Sequence, residues 1–293
     1  MIGFSIFKIF ENILMLFPHS MRKSFFIMLS KIAYTIDKKH RKVVNINLDI
    51  AFNNSLSQEK KDEIAASCYK NLLMNFLHII EAKRLTNEDI LKKVTFVNKD
   101  VFDQLSSKQF ILSTAHYGNW ELLGVAVGLH VPQRSNAVFK KLNNSYFNEY
   151  LKSSREKFGL KMIEKRGALK YLTKALKNGE GLALLVDQNT NERDGIPINM
   201  FSKQAYQSAS TSLLARKYDA PIIPTFITTE DYETYTITFH NPIFVDKTDN
   251  QEADILKATQ MQADILQEVI KQEPKGWFWC HKRWKTGNAG LYD

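Results

Sequence analysis

The stretch from Gln109 to Val127 constrains the fold more than any other. Phe110-Ile111-Leu112 is an apolar run that predicts a buried strand, and Leu122-Leu123-Gly124-Val125-Ala126-Val127 predicts a buried helix. Between them lies Ser113-Thr114-Ala115-His116-Tyr117-Gly118-Asn119-Trp120-Glu121. His116 therefore stands where a strand stops and a helix is about to begin. Asn119 is a good helix N-cap, which places Glu121 in the first turn, where the helix dipole favours a carboxylate. On one continuous helix, residues five apart point in different directions. A turn at Tyr117-Gly118 removes that obstacle, because glycine reaches left-handed backbone angles cheaply. The turn lets Glu121 fold back toward the imidazole.

This arrangement suits a general base. One nitrogen of His116 faces a substrate proton and the other donates to Glu121, which fixes the tautomer and stabilises the imidazolium. No serine nucleophile is needed if the substrate brings its own hydroxyl. The competing reading is a histidine that ends a strand beside a solvated glutamate. Strand, turn and helix all agree here, and that agreement favours the catalytic reading.

The 293 residues suffice for one large α/β domain with its own core. A net charge of +9 points to anionic partners: nucleic acid, anionic lipid or an acidic carrier protein. Nucleic acid is disfavoured, since no RRM, KH or helix-turn-helix signature occurs. Cys68 and Cys280 lie far apart in the chain without metal-ligand spacing, which reads as two reduced thiols. No metal or cofactor is expected.

The first 42 residues form the second informative region. Ile6, Phe7, Ile9, Phe10, Ile13, Leu14 and Phe17 make a broad apolar helical face, with Ser5, Lys8 and Asn12 on another. Pro18-His19-Ser20 breaks the chain, and Phe25 to Ile36 repeats the pattern around Lys31. Neither run reaches the roughly 20 apolar residues of a spanning helix, and no cleavage site of a secretory signal follows. A basic cluster, Asp37-Lys38-Lys39-His40-Arg41-Lys42, comes next. Apolar amphipathic helices followed by basic residues suit the cytoplasmic face of an anionic membrane. A pair of core helices packed on the domain is the alternative. The expected division is 1–42, membrane-associated helices and basic cluster, and 43–293, the α/β domain.

Farther on, Ser57 caps a helix running toward Ala82, with Ile64, Cys68, Leu72, Phe76 and Ile80 in helical register. His78 on that helix reads as a packed core histidine. A short helix at Asn87 to Lys92 leads to a strand at Val94 to Val97, and Ala137-Val138-Phe139 reads as another strand. Gly167 to Asn178 is a helix with Leu169, Leu172 and Leu176 inward. Gly181 to Val186 is a continuous apolar run that suits a central strand covered on both faces. It ends in Asp187-Gln188-Asn189, polar residues at a strand's carboxyl end, where open α/β sheets place their sites. An ordinary strand-ending turn is the other reading. Strands are expected at Ile222 to Thr229 and Thr234 to Phe239, and an amphipathic helix from Ala253 to Ile270.

His116-Tyr117-Gly118-Asn119-Trp120-Glu121 resembles the H-x4-D/E motif of the lysophospholipid acyltransferase superfamily, in the form found in lipid A biosynthesis late acyltransferases (lauroyl and myristoyl transferases). Further blocks are similar in the same order. They are Asn45 to Phe52, Phe139 to Asn144, Arg155-x-x-Phe158-Gly159, Asp187-Gln188 and Asp219-Ala220-Pro221-Ile222-Ile223-Pro224. The closing Trp279-Cys280-His281-Lys282-Arg283-Trp284-Lys285-Thr286 resembles a W-x-H-R-R-F-K-T signature. Met200-Phe201-Ser202 departs from the family's F-F-G, with serine where glycine is usual.

The resemblance implies an α/β fold, a mostly parallel or mixed central sheet flanked by helices, with membrane-associated N-terminal helices. It implies acyl transfer from acyl carrier protein to a hydroxyl of a lipid A precursor of Kdo-lipid IVA type, at the cytoplasmic face of the inner membrane. His116 is then the base with Glu121. Gly118 and Asn119 lie near donors for the oxyanion, and Lys140, Arg155 and Asp187 line the substrate site. Arg155 binds substrate by that analogy, and a surface arginine is the alternative. His281 is expected to pack among the tryptophans and not to serve as a second base. Rival functions are transfer to another glycolipid or a lysophospholipid, a thioesterase of the same fold, and a basic membrane-binding protein without chemistry.

Overall fold

The computed structural model describes residues 2–131 and 135–293. Helices come first: α1 (Ile2–Leu14), α2 (His19–Ile36), α3 (Lys38–Ala51), α4 (Gln58–Ala82) and α5 (Asn87–Lys92). Then follow β1 (Val94–Val97), α6 (Lys99–Leu105), β2 (Ile111–Thr114), α7 (Trp120–His130), β3 (Ser135–Phe139), α8 (Ser145–Glu156), β4 (Leu160–Glu164), α9 (Ala168–Lys177) and β5 (Gly181–Leu185). A hairpin of β6 (Ile196–Met200) and β7 (Lys203–Gln207) precedes α10 (Ser210–Tyr218), β8 (Ile222–Thr228), β9 (Tyr235–Phe239) and α11 (Gln251–Gln272).

Among the described residues, seven strands form one sheet in the order β1-β9-β8-β2-β5-β3-β4. Every pair is parallel except β8–β9. The fold is α/β, and both faces of the sheet are covered. Alternation along the strands divides the core. Leu112, Ala183 and Ile223 pack with α7, while Ile111, Leu182, Leu184 and Ile222 pack with α9, α10 and α11. A third cluster joins α3, α4, the hairpin and α11 to Trp277, Trp279 and Trp284. The fourth joins α1 and α2 to α4 through Leu14, Phe26, Met74, Leu77 and Ile80.

Several expectations on single elements change. The charged stretch after Ile36 is itself helical. Asp37 accepts from the His40 N–H and caps α3, and Val44 and Leu48 are its buried face. Phe76 and Leu169, read as core, are exposed. On α4 the buried face carries Asn71 and Asn75, whose amides hold other segments. Ser57 does cap α4, accepting from the Lys60 N–H, and His78 is buried. No described helix is long and apolar enough to cross a membrane.

Candidate active site

The site follows from strand register. In the centre of the sheet, β2 and β5 run parallel, with Thr114 opposite Leu185. The two chains therefore leave the sheet side by side. Two residues farther along each stand His116 and Asp187. The Asp187 carboxylate accepts from the backbone N–H of His116 at 3.0 Å and pairs with its Nδ1 at 2.9 Å. The Trp277 indole N–H donates to the same carboxylate at 2.9 Å. When the ring is neutral, Nδ1 is thus its protonated nitrogen and Nε2 is left as the acceptor. Gln188 Nε2 lies 3.4 Å from it.

This corrects the expected partner of His116. Glu121 does not take Nδ1. It faces Arg155, which donates from Nε and Nη2 to the two carboxylate oxygens at 2.8 and 2.7 Å. A carboxylate in the first turn of α7 meets the last turn of α8, where Arg155 projects, and a planar guanidinium matches both of its oxygens. The Asp187 position was visible as a strand end, but the adjacency of β2 and β5 was not.

Electrostatics follow from the two pairs. Burial works against the imidazolium, yet the charge and hydrogen bond of Asp187, with Glu121 nearby, outweigh it and raise the His116 pKa above 6.5. Burial pushes Asp187 upward, but His116 and the hydrogen bonds from Trp277 and the backbone pull it down to about 2. Glu121 is likewise held low against its burial by Arg155. Both carboxylates are ionised at neutral pH.

The turn after His116 is built as the sequence suggests. Gly118 has φ +56°, and an added Cβ would lie 2.1 Å from the Ile227 carbonyl oxygen. Asn119 caps α7 by accepting from the Leu122 N–H at 3.0 Å. Two of the N–H groups at this turn are already engaged. The Gly118 N–H donates to the Gly276 carbonyl, and the Glu121 N–H to Asn75 Oδ1 at 3.3 Å. Asn119 is buried. Gly118 and Asn119 hold the turn in place, and neither lies on the wall of the cavity in front of His116.

The C-terminal segment 274–286 clamps this turn from behind. The Phe278 N–H donates to the His116 carbonyl at 2.9 Å, antiparallel to the Gly118–Gly276 bond. Asn75 on α4 donates to the Gly118 carbonyl, and Asn71 to the Lys275 carbonyl. Trp277 and Asn75 were not singled out from sequence. A tryptophan whose indole seeks a buried acceptor was the available signal for the first. His281 is no second base: its Nε2 accepts from the Asn189 N–H at 2.7 Å, and burial drops its pKa to about 4.

A cavity of about 280 Å³ opens in front of His116. Leu123, Gly124, Ala137, Leu160, Met162 and Ala183 give it an apolar interior. His116, Glu121, Arg155 and Lys140 also line it, with Lys140 exposed. Asp187 lies behind the imidazole and not on the wall. A buried carboxylate, an imidazole and an apolar chamber can together activate a hydroxyl beside a long apolar group.

A sequence profile described as bacterial lipid A biosynthesis acyltransferase matches residues 1–286. The chain belongs to this acyltransferase family. It is 22% identical over 268 residues to the lipid A biosynthesis lauroyltransferase of Escherichia coli (strain K12), covering 90% of this chain and 85% of that one. It is also 22% identical over 262 residues to the lipid A biosynthesis palmitoleoyltransferase of the same organism and to a lipid A biosynthesis acyltransferase of Shigella flexneri, covering 87% of this chain and 83% of each. The acyltransferase family match spans the N-terminal helices, the His116 turn and the whole C-terminal clamp alike.

Proposed function

We propose that this acyltransferase moves a fatty acyl chain from acyl carrier protein to a free hydroxyl of a lipid A precursor of Kdo-lipid IVA type. The observation that carries the reading is the Asp187–His116 pair at the mouth of an apolar cavity. A hydroxyl is a weak nucleophile and must lose its proton as it attacks. His116 Nε2 takes that proton while Asp187 holds Nδ1–H and stabilises the imidazolium. The hydroxyl oxygen bonds to the thioester carbon. The tetrahedral intermediate then expels the carrier's thiolate, which receives the proton from His116. The acyl chain lies between Leu123, Gly124, Leu160 and Met162. Glu121 fixes Arg155 in the cavity wall. Arg155 keeps further N–H donors for a phosphate or the developing oxyanion, and Gln188 offers an amide beside His116. Lys140 at the rim meets the acidic carrier.

Membrane association fits the N-terminal helices. Ile2, Ile6, Ile9 and Ile13 form an exposed apolar stripe along α1, continued by Leu16 and Phe17. On another side of α1, Phe4 and Phe7 meet the rings of Phe147 and Tyr150 on α8, the helix that bears Arg155. A lipid surface under α1 would bring the glycolipid close to the cavity, at the cytoplasmic face of the inner membrane. The test is direct. Purified protein is incubated with acyl carrier proteins bearing chains of several lengths and a tetra-acylated Kdo-bearing precursor, and products are weighed. One added acyl chain is expected. Release of free fatty acid alone would favour the thioesterase.

A further inference from the structure

Cys68 and Cys280 are 212 residues apart, yet their sulfurs lie 3.5 Å from each other. Cys68 is buried on α4, Cys280 is half-buried on the C-terminal clamp, and both are free thiols. Their approach is held by surrounding structure. Asn47 Nδ2 donates to the carbonyls of Trp279 and His281, the two neighbours of Cys280, at 2.7 and 2.8 Å. The Trp279 indole donates to the Pro274 carbonyl, and His281 accepts from Asn189. One turn along α4 from Cys68, Asn71 grips Lys275. The contact joins the two elements that support the catalytic turn: α4 through Asn75, and the clamp through Trp277 and Phe278.

We propose that Cys68 and Cys280 form an oxidation site, a dithiol that closes to an intramolecular disulfide and staples the clamp to α4. The oxidant is a low-molecular-weight disulfide of the glutathione type. Cys280, the more accessible sulfur, attacks as thiolate and breaks the S–S bond of the small disulfide, whose first thiol departs. Cys68 then attacks the Cys280 sulfur of the mixed disulfide and expels the second thiol. Two protein S–H groups give one S–S bond, and their two protons and two electrons end on the two small thiols. The hydrogen bond with Cys68 and burial raise the Cys280 pKa, so the first step is slow. The second is fast, since its partner is already in contact.

The full-length protein in detergent is incubated with oxidised glutathione and compared with its dithiothreitol-treated form. The folded wild type is expected to lose two hydrogens in mass, yield one linked peptide carrying Cys68 and Cys280, and melt about 5 °C or more higher. Dithiothreitol should reverse all three. Cys68→Ser and Cys280→Ser should show no such rise. The comparison of oxidised with reduced wild type stands without the variants. Wild type that stays a free dithiol, carries two separate glutathiones, or links between molecules would overturn the proposal.

Discussion

At the residue scale, what decides the chemistry is which carboxylate serves which cation. The H-x4-E spacing pointed to His116 and Glu121 as one pair, and both do line one cavity. Pairing in three dimensions is set by strand order, which local spacing does not encode. Two strands that end side by side give His116 to Asp187, and α8 then gives Arg155 to Glu121. Asp187→Asn should keep the side-chain volume but lose the charge and favour the wrong tautomer. The expected loss in kcat is ~100- to 10,000-fold. The sign of the pH effect is fixed as well. His116 must be neutral to accept a proton, so activity falls as pH drops through its raised pKa. Asp187 is what raises that pKa, so in Asp187→Asn the acid limb of kcat/KM should move to lower pH. A limb that stays put would free Asp187 of this role. Arg155 and Arg216 offer a second contrast. Arg216 pairs with Asp254 and the Thr248 carbonyl on the far side of the fold. Arg155→Ala should lower kcat/KM at least ~10-fold more than Arg216→Ala, as expected for a charged hydrogen-bonding partner.

At the element scale, strongly patterned segments were legible and weakly patterned ones were not. The runs at Gly181 and Ile222 and the capped helix after Ser57 carry their own period or cap, and they stand where expected. Helix α3 was hidden in a charge cluster, because Lys38 to Lys42 mask a cap at Asp37. Strand β4 is an edge strand after Gly159 whose exposed Lys161 and Glu164 interrupt the apolar residues, so no continuous apolar run marks it. The β6–β7 hairpin turns at Phe201 and Ser202, both left-handed at φ 52° and 59°. Such a turn demands positive φ at both central residues, which explains why the similar family block carries glycine at the second. Phe201 is buried near the rings of Phe52 and Trp284 and must stay. Ser202→Gly should therefore stabilise the protein by about 0.5–1 kcal/mol in urea unfolding. A destabilised variant would count against that account of the turn.

At the scale of the whole molecule, one helix is exposed on one side and on another packs against the helix that bears Arg155. The stripe of Ile2, Ile6, Ile9 and Ile13 is exposed, while Phe4 and Phe7 lie against α8. Ile6→Ser with Ile9→Ser should leave the melting temperature within about 2 °C, since exposed side chains contribute little to the fold. Flotation with anionic vesicles should drop at least ~10-fold, from the lost apolar contact. Undiminished flotation would detach the stripe from the membrane. Deleting residues 1–36 is a poorer probe, since it uncovers Met74, Leu77 and Ile80 on α4. The central claim is that His116 removes the acceptor's proton. It is tested most directly by the single-turnover rate of acyl transfer in purified His116→Ala, folded by circular dichroism and bound to vesicles like the wild type. A rate at least ~100-fold below wild type is expected, and a rate close to wild type would contradict the account.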